Sequence, residues 1–424
     1  MTELRSRQQN ILSLLGSDIL IAPAEIPRSD VARFKQSSNF FYLTGFPEHG
    51  AVVVLDPTSD KQQVSLFVRE NNEYEQIWDG FTIGVDKVKD LFPADYVGHI
   101  NELESFLSDR LKNRRVQYMP VDGHPSSETI EKSLKDQNAE TLKEGDFFEE
   151  LKEMRLVKSP LEIEEMRKAI DITGEAFHAC MRAGAKYRHE YQIEAEFQHT
   201  CMMQGAMHSA FGSIVAAGNH ATCQHYVENS GPIDNSDLVL LDAGTVWNGY
   251  CADITRTFPV SGKFSEIQRD LYEVVLASQK TGVEMVAPGV HMLDLHKKSA
   301  AVLIDGLKSL GLLKGDTDEL VEKSAHKDFW PGFLCHSLGL DVHDVTPKSY
   351  RKADSGKTLQ PGMVITIEPG FYSQSFNKDI PEQYREIGIR IEDDILVTED
   401  GNENLSIATV KEIADVEAMV QSGK

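Results

Sequence analysis

An amino-terminal α/β domain followed by an α+β domain is predicted by three observations on this chain of 424 residues. Residues 1–155 alternate short apolar runs with helical stretches. A helix-start signature at Ser159-Pro160-Leu161-Glu162 marks a junction, with Ser at the cap, Pro at the first helical position and Glu at the third. Beyond it, helical patterns surround apolar runs in which acids recur. The length exceeds what one hydrophobic core usually serves, so more than one domain is expected.

The elements follow in order. Strand-like runs at residues 19–21, 51–56, 64–68 and 116–120 fall in the first domain, which contains no cluster of acids with histidine and reads as a lid or assembly domain. The second domain spans residues 156–424. Its first helix carries Ile163, Met166, Ile170, Phe177 and Met181 at helical spacing, a core stripe rather than a partner groove. Helices at residues 190–204 and 265–286 precede and follow a strand-rich stretch at residues 238–260.

That stretch, LVLLDAGTVWNGYCADITRTFPV, centres on Asn248-Gly249, the strongest two-residue hairpin signal. With these two as the central pair, Asp242 opposes Thr255 and Asp253 opposes Gly244. Asp242 and Asp253 then lie diagonally on one face, roughly 7 to 8 Å apart at the backbone, close enough to converge on one ion. In residues 363–372 (MVITIEPGFY) an apolar strand ends at Glu368, stopped by Pro369-Gly370. In residues 388–397 (GIRIEDDILV) alternation puts Arg390, Glu392 and Asp394 on one face and Ile389, Ile391 and Asp393 on the other. A charged edge strand is the plain alternative for that acid run. Residues 335–344 (CHSLGLDVHD) add His336 and His343, and His225 follows a Gly/Ala-rich segment. Asp242, Asp253, His336, Glu368 and Glu392 gathered in one space would repel one another unless cations joined them, which points to a two-metal site. One imidazole among four carboxylates is a hard, oxygen-rich set that suits manganese, cobalt or magnesium better than zinc.

These motifs, in this order, resemble the pita-bread metallopeptidases, specifically the Xaa-Pro aminopeptidase (aminopeptidase P) family. The resemblance extends to residues 34–56 and to Ile77-Trp78-Asp79-Gly80, which look like that family's creatinase-like amino-terminal domain. It implies a pita-bread catalytic domain, with a curved antiparallel sheet flanked by helices. It further implies two divalent ions, manganese with cobalt or zinc as alternatives, and a hydroxide bridging them as nucleophile. Asp242 would chelate the first ion, Asp253 and Glu392 would bridge, and His336 and Glu368 would complete the second. Glu368 would also shuttle the proton, His225 and His343 would contact substrate, and Tyr372 and Arg390 would support the metals. Trp78 would reach a neighbouring subunit's substrate region, implying a homo-oligomer, a dimer or tetramer. The expected reaction is release of the amino-terminal residue from peptides with proline second. The alternatives are a prolidase restricted to dipeptides and a metal-free pita-bread peptide-binding module. One departure stands out: where the family commonly has a histidine four residues before the ligand histidine, this chain has Gly332.

Composition agrees with such an enzyme. An excess of 67 acidic over 43 basic residues, a net charge of −24, disfavours nucleic acid or anionic membrane as partner. No signal-like segment opens the chain and no apolar run approaches a membrane span. Five cysteines, odd in number and without a Cys-x-x-Cys pair, fit a reducing compartment, so a cytoplasmic location is expected.

Overall fold

Short runs of β-branched residues form the strands of the first of two compact units, Met1–Met154. The structure, a computed structural model, describes residues 2–29, 33–70, 72–78, 80–347, 350 and 356–423. Six strands make one sheet: β1 (Ile19–Pro23), β2 (Val52–Leu55), β3 (Val64–Val68), β4 (Tyr96–His99), β5 (Arg115–Tyr118) and β6 (Glu140–Leu142), in the order β4-β3-β2-β1-β5-β6. The β1–β2 and β2–β3 pairs are antiparallel and the outer pairs are parallel. β1, β2 and β3 are buried along their whole length, which is why they read as unbroken apolar runs rather than alternating ones. Ile19, Ile21, Val52, Val54 and Phe67 pack there against Leu103, Leu107, Ile130 and Leu134.

The second unit, Arg155–Lys424, opens as its sequence predicts. Ser159 Oγ accepts from the Glu162 N–H and the Glu162 carboxylate accepts from the Ser159 N–H, closing the capping box of a helix at Pro160–Gly184. Met166, Ile170, Phe177 and Met181 of its stripe are buried, and Ile163 is half-buried. The flanking helices run Glu190–Met203 and Glu266–Met285, and a further helix, Met292–Ser309, is tied to the latter by the Ser278 and Ser299 hydroxyls 2.7 Å apart.

The strands here are β7 (His208–Ser209), β8 (Ile214–Ala217), β9 (Leu238–Ala243), β10 (Thr245–Trp247), β11 (Tyr250–Cys251), β12 (Ile254–Pro259), β13 (Val364–Ile367), β14 (Gly370–Ser373), β15 (Ile387–Arg390), β16 (Asp393–Val397) and β17 (Asn402–Asn404). They form small antiparallel sheets: β11-β10-β7, β12-β9-β8, β13-β16-β17 and β14-β15. The Asn248-Gly249 turn has φ of 45° and 87°, the two positive values a type I′ turn requires. The register is the expected one, with Trp247 opposite Tyr250 and Asp242 opposite Thr255.

The expected hairpin and the expected strand at residues 388–397 are nevertheless interrupted, while the strand before Pro369 stops as expected. The hairpin breaks at Gly244 on one side and Ala252-Asp253 on the other, so its two halves belong to different sheets. The cause is a close backbone approach: a Cβ on Gly244 would lie 1.7 Å from the Ala252 carbonyl oxygen. Pro369 ends β13, but β14 begins at the next residue. The run at residues 388–397 is not one strand either, since Ile391 and Glu392 separate β15 from β16. Gly244→Ala is expected to lower unfolding stability by on the order of 3 kcal/mol, because overpacking against main chain has no soft neighbour to yield. Urea titration checks this; a midpoint equal to wild type would show that the break tolerates a side chain.

Candidate metal centre

Each strand break carries a functional side chain. Asp253 stands just before β12, Glu368 just after β13 and Glu392 between β15 and β16, while Asp242 is the penultimate residue of β9. The Glu392 N–H donates to the Thr255 carbonyl at 3.1 Å, pulling the β15–β16 break against β12. Residues 334–338 run antiparallel to β13, through Glu368 N to Leu334 O at 2.8 Å, Thr366 N to His336 O at 3.0 Å and Leu338 N to Val364 O at 3.0 Å. That pairing sets His336 beside Glu368.

The five predicted ligands line one cavity of about 250 Å³, together with His225, His343 and Arg390. His336 Nε2 lies 3.3 Å from Asp253 Oδ2 and 3.5 Å from Glu368 Oε1. Ligand atoms of Asp253, His336 and Glu392 all fall within 4.8 Å of one another. The His336 Nδ1 side faces the Ser337 carbonyl at 3.1 Å, which fixes the proton there and turns the Nε2 lone pair into the cluster. Asp242, Asp253 and Glu392 are at most 7% exposed.

Electrostatics separates these acids. Burial, then the neighbouring Asp242 carboxylate, pushes the Asp253 carboxyl well above the usual range. Burial, then Asp253, does the same to Glu392. Glu368, whose side chain is a quarter exposed, is raised by burial to about 7. Arg390 is the one guanidinium in the cavity wall. Each of its nitrogens donates to the protein, Nη2 to Asp242, Nη1 to Tyr372 Oη at 2.6 Å and Nε to Thr255 Oγ1 at 3.2 Å. One cation cannot neutralise four carboxylates. Asp242 Oδ1 and Asp253 Oδ1 are buried with no hydrogen-bond partner among the described residues, the donor set of a site that receives cations.

The acid run sorts into three fates. Glu392 lines the cavity. Asp393, on the opposite side, meets Arg256 Nη2 at 2.6 Å, Lys411 Nζ and Gln279 Nε2 at 2.9 Å. Burial raises Asp393, but Arg256 and Lys411 outweigh it and hold the carboxyl well below the ordinary range. Asp394, expected on the site face, does not line the cavity and instead accepts the Asp253 N–H at 3.1 Å. All three are at most 2% exposed, which overturns the charged-edge alternative.

Sequence reasoning missed the residues that hold the ligands. Thr255 Oγ1 donates to Glu392 Oε2 at 2.5 Å, and Thr366 Oγ1 accepts the His336 N–H and approaches Glu368 Oε1 at 3.5 Å. Buried Asp344, bound by Arg155 at 2.5 Å and Lys158 at 3.4 Å, anchors the loop that lays the His343 ring on His336, with centroids 4.4 Å apart. Glu190, fully buried, accepts from Ala217 N, Tyr226 Oη and Gly231 N and contacts His220, clamping the segment that carries His225. Tyr372 is buried behind Arg390, and Cys335 is buried outside the cavity wall. Trp78 lies in the first unit, on the helix Glu73–Trp78, with 71% of its surface exposed. At Gly332 a Cβ would stand 3.2 Å from Trp330 Nε1 and 3.7 Å from Gln224 Oε1.

Comparisons with known proteins agree with this geometry. The model of metallopeptidase family M24 matches residues 164–399, and that of the aminopeptidase P N-terminal domain matches residues 5–118. The Xaa-Pro aminopeptidase of Haemophilus influenzae is 40% identical over 91% of this chain and 88% of its own length. That of Escherichia coli is 37% identical over 100% and 98%. The structure of zinc-substituted E. coli aminopeptidase P in complex with product superposes with a TM-score of 0.91 at 36% identity, covering 100% of this chain and 98% of that one.

A carboxyl whose folded pKa stands above its unfolded value binds more protons in the native state, so its stabilising effect is present at low pH and lost as pH rises. For Glu368 that window runs from the ordinary 4.5 to about 7. The metal-free protein is therefore expected to melt at progressively lower temperature from about pH 5 to pH 8, with divalent metal restoring the loss at the upper end. A flat melting profile in calorimetry would contradict this origin.

Proposed function

Because the chain belongs to metallopeptidase family M24 and carries the aminopeptidase P amino-terminal domain, we propose that its acid cluster releases the amino-terminal residue from peptides with proline in second position. The observation that carries this reading is the convergence of four carboxylates and one imidazole on one cavity with two buried carboxylate oxygens unpartnered. Asp242 would hold one ion, Asp253 and Glu392 would bridge, and His336 and Glu368 would hold the second. When bound, two divalent ions supply a water of lowered pKa and positive charge for the developing oxyanion.

The chain's own groups do the rest. Glu368, partly exposed, takes the proton of the attacking water and delivers it to the leaving nitrogen. That delivery is needed because the peptide nitrogen must be protonated to depart as an amine. His225 and His343, in the cavity wall, donate to substrate oxygens and stabilise charge as it develops. Arg390 fixes Asp242, with its other two nitrogens donating to Tyr372 and Thr255.

That commitment supports aminopeptidase over dipeptidase action. An Xaa-Pro dipeptide would bring a carboxylate next to the proline ring, and among the described residues the cavity is lined by no Lys and by no Arg besides Arg390, which is already paired with Asp242. Manganese suits the oxygen-rich ligand set. A homo-oligomer is proposed from the exposed Ile77, Trp78 and Phe81, and a cytoplasmic location from five cysteines that form no disulfide among the described residues.

Asp253→Ala and Glu392→Ala should each cut kcat at least 10³-fold, on the order of 4 kcal/mol of transition-state stabilisation. Chelation should inactivate the wild type, with recovery on manganese; full activity after exhaustive chelation would refute the metal mechanism. His343→Ala should keep wild-type metal content while losing about 10²-fold in turnover, as removal of an oxyanion donor does. Metal analysis showing a depleted His343 variant would reassign it as a ligand.

A further inference from the structure

Within the reading above, the second peptide carbonyl of the substrate still lacks a partner in the protein. A proline in second position leaves the scissile peptide bond without an N–H, so around that bond the substrate presents acceptors. The first carbonyl faces the acid cluster. The carbonyl of the proline residue itself lies one residue further on and needs a donor.

The side-chain donors in the cavity wall are few. Each of the three Arg390 guanidinium nitrogens already donates to a protein group. His336 is held by the Ser337 carbonyl on one nitrogen and faces Asp253 and Glu368 with the other. His225 and His343 already have roles at the reacting carbonyl. There remains Gln224, which lines the cavity and whose amide nitrogen Nε2 is buried with no hydrogen-bond partner among the described residues. A buried amide N–H left without an acceptor costs about 1–3 kcal/mol, a cost that a bound acceptor removes.

The surroundings favour this use. Gln224 sits on the segment clamped at both ends by Glu190, at Ala217 and at Tyr226 and Gly231, so its backbone is fixed while its terminal torsion is soft. With four carboxylates in the same cavity, the electrostatic field turns the NH₂ end of the amide inward and the oxygen away. Gly332 borders the oxygen side, where a Cβ would stand in van der Waals contact with Oε1 at 3.7 Å.

We propose that Gln224 is a substrate-binding residue, its Nε2 donating to the carbonyl oxygen of the second-position proline. In a dipeptide the same oxygen belongs to a carboxylate, to which the amide would also donate, while the surrounding acids repel that charge.

The test uses full-length, manganese-loaded enzyme and the substrates Xaa-Pro-Xaa and Xaa-Pro. Gln224→Leu keeps the bulk and removes the donor. It is expected to raise KM for the tripeptide about tenfold, the upper worth of one neutral hydrogen bond, with kcat within about twofold. Metal content and melting temperature should stay at wild-type values. Gln224→Glu, which replaces the donor with a charged acceptor, should weaken tripeptide binding further. An unchanged tripeptide KM in Gln224→Leu, or a loss confined to kcat, would overturn the assignment. Wild-type enzyme that cleaves neither substrate would instead overturn the peptidase reading on which the assignment rests.

Discussion

Burial of like charge governs the second unit. Asp242, Asp253, Glu392, Asp393 and Asp394 are all nearly or fully inaccessible, and buried carboxylates persist only when something compensates them. The chain compensates them in two ways. Asp393 receives Arg256 and Lys411, plus amide and hydroxyl donors from Gln279, Asn404 and Ser406. The cluster in the cavity receives one guanidinium, Arg390, and is otherwise left in charge deficit. The contrast shows which acids build the scaffold and which await ions: the same chain knows how to satisfy a buried aspartate completely and does so one residue away from Glu392.

Arg256 links the two groups. Fully buried, it donates to the carbonyls of Thr255 and Glu392 while pairing with Asp393. The main chain at the β15–β16 break is thereby fixed by a charge whose counter-ion lies outside the cavity. Thr255 adds a hydroxyl to the Glu392 carboxylate from the inner side. Ligand position is thus decided by two consecutive residues of β12 pointing opposite ways, the expected alternation of a strand put to two uses.

Much of this was readable in the sequence, for identifiable reasons. The Asn-Gly turn fixes its own register through local backbone preference, so Asp242 falls opposite Thr255 as expected. The capping box at Ser159 is equally local. The stop at Pro369-Gly370 is local and was legible, whereas the interruptions at Gly244 and Ile391-Glu392 were less so, because β-propensity runs smoothly across them. Thr255, Arg256, Glu190 and Asp344 carried no signal either. Their partners lie far away in sequence, with 137 residues separating Thr255 from Glu392, and threonine or glutamate at such positions looks like ordinary strand or helix composition. Gln224 was invisible because a glutamine beside a histidine says nothing until the atoms around its amide are known.

The strand breaks also have a mechanical meaning. Asp253, Glu368 and Glu392 each occupy a point where one small sheet ends and another begins, so the ligands lie along a seam between sheets rather than within any one of them. Under the metal reading proposed above, ions bound there would cross-link the sheets, and metal occupancy would set how stiff the seam is. Amide exchange along residues 252–255 and 390–394 becomes a gauge of ion binding that needs no substrate.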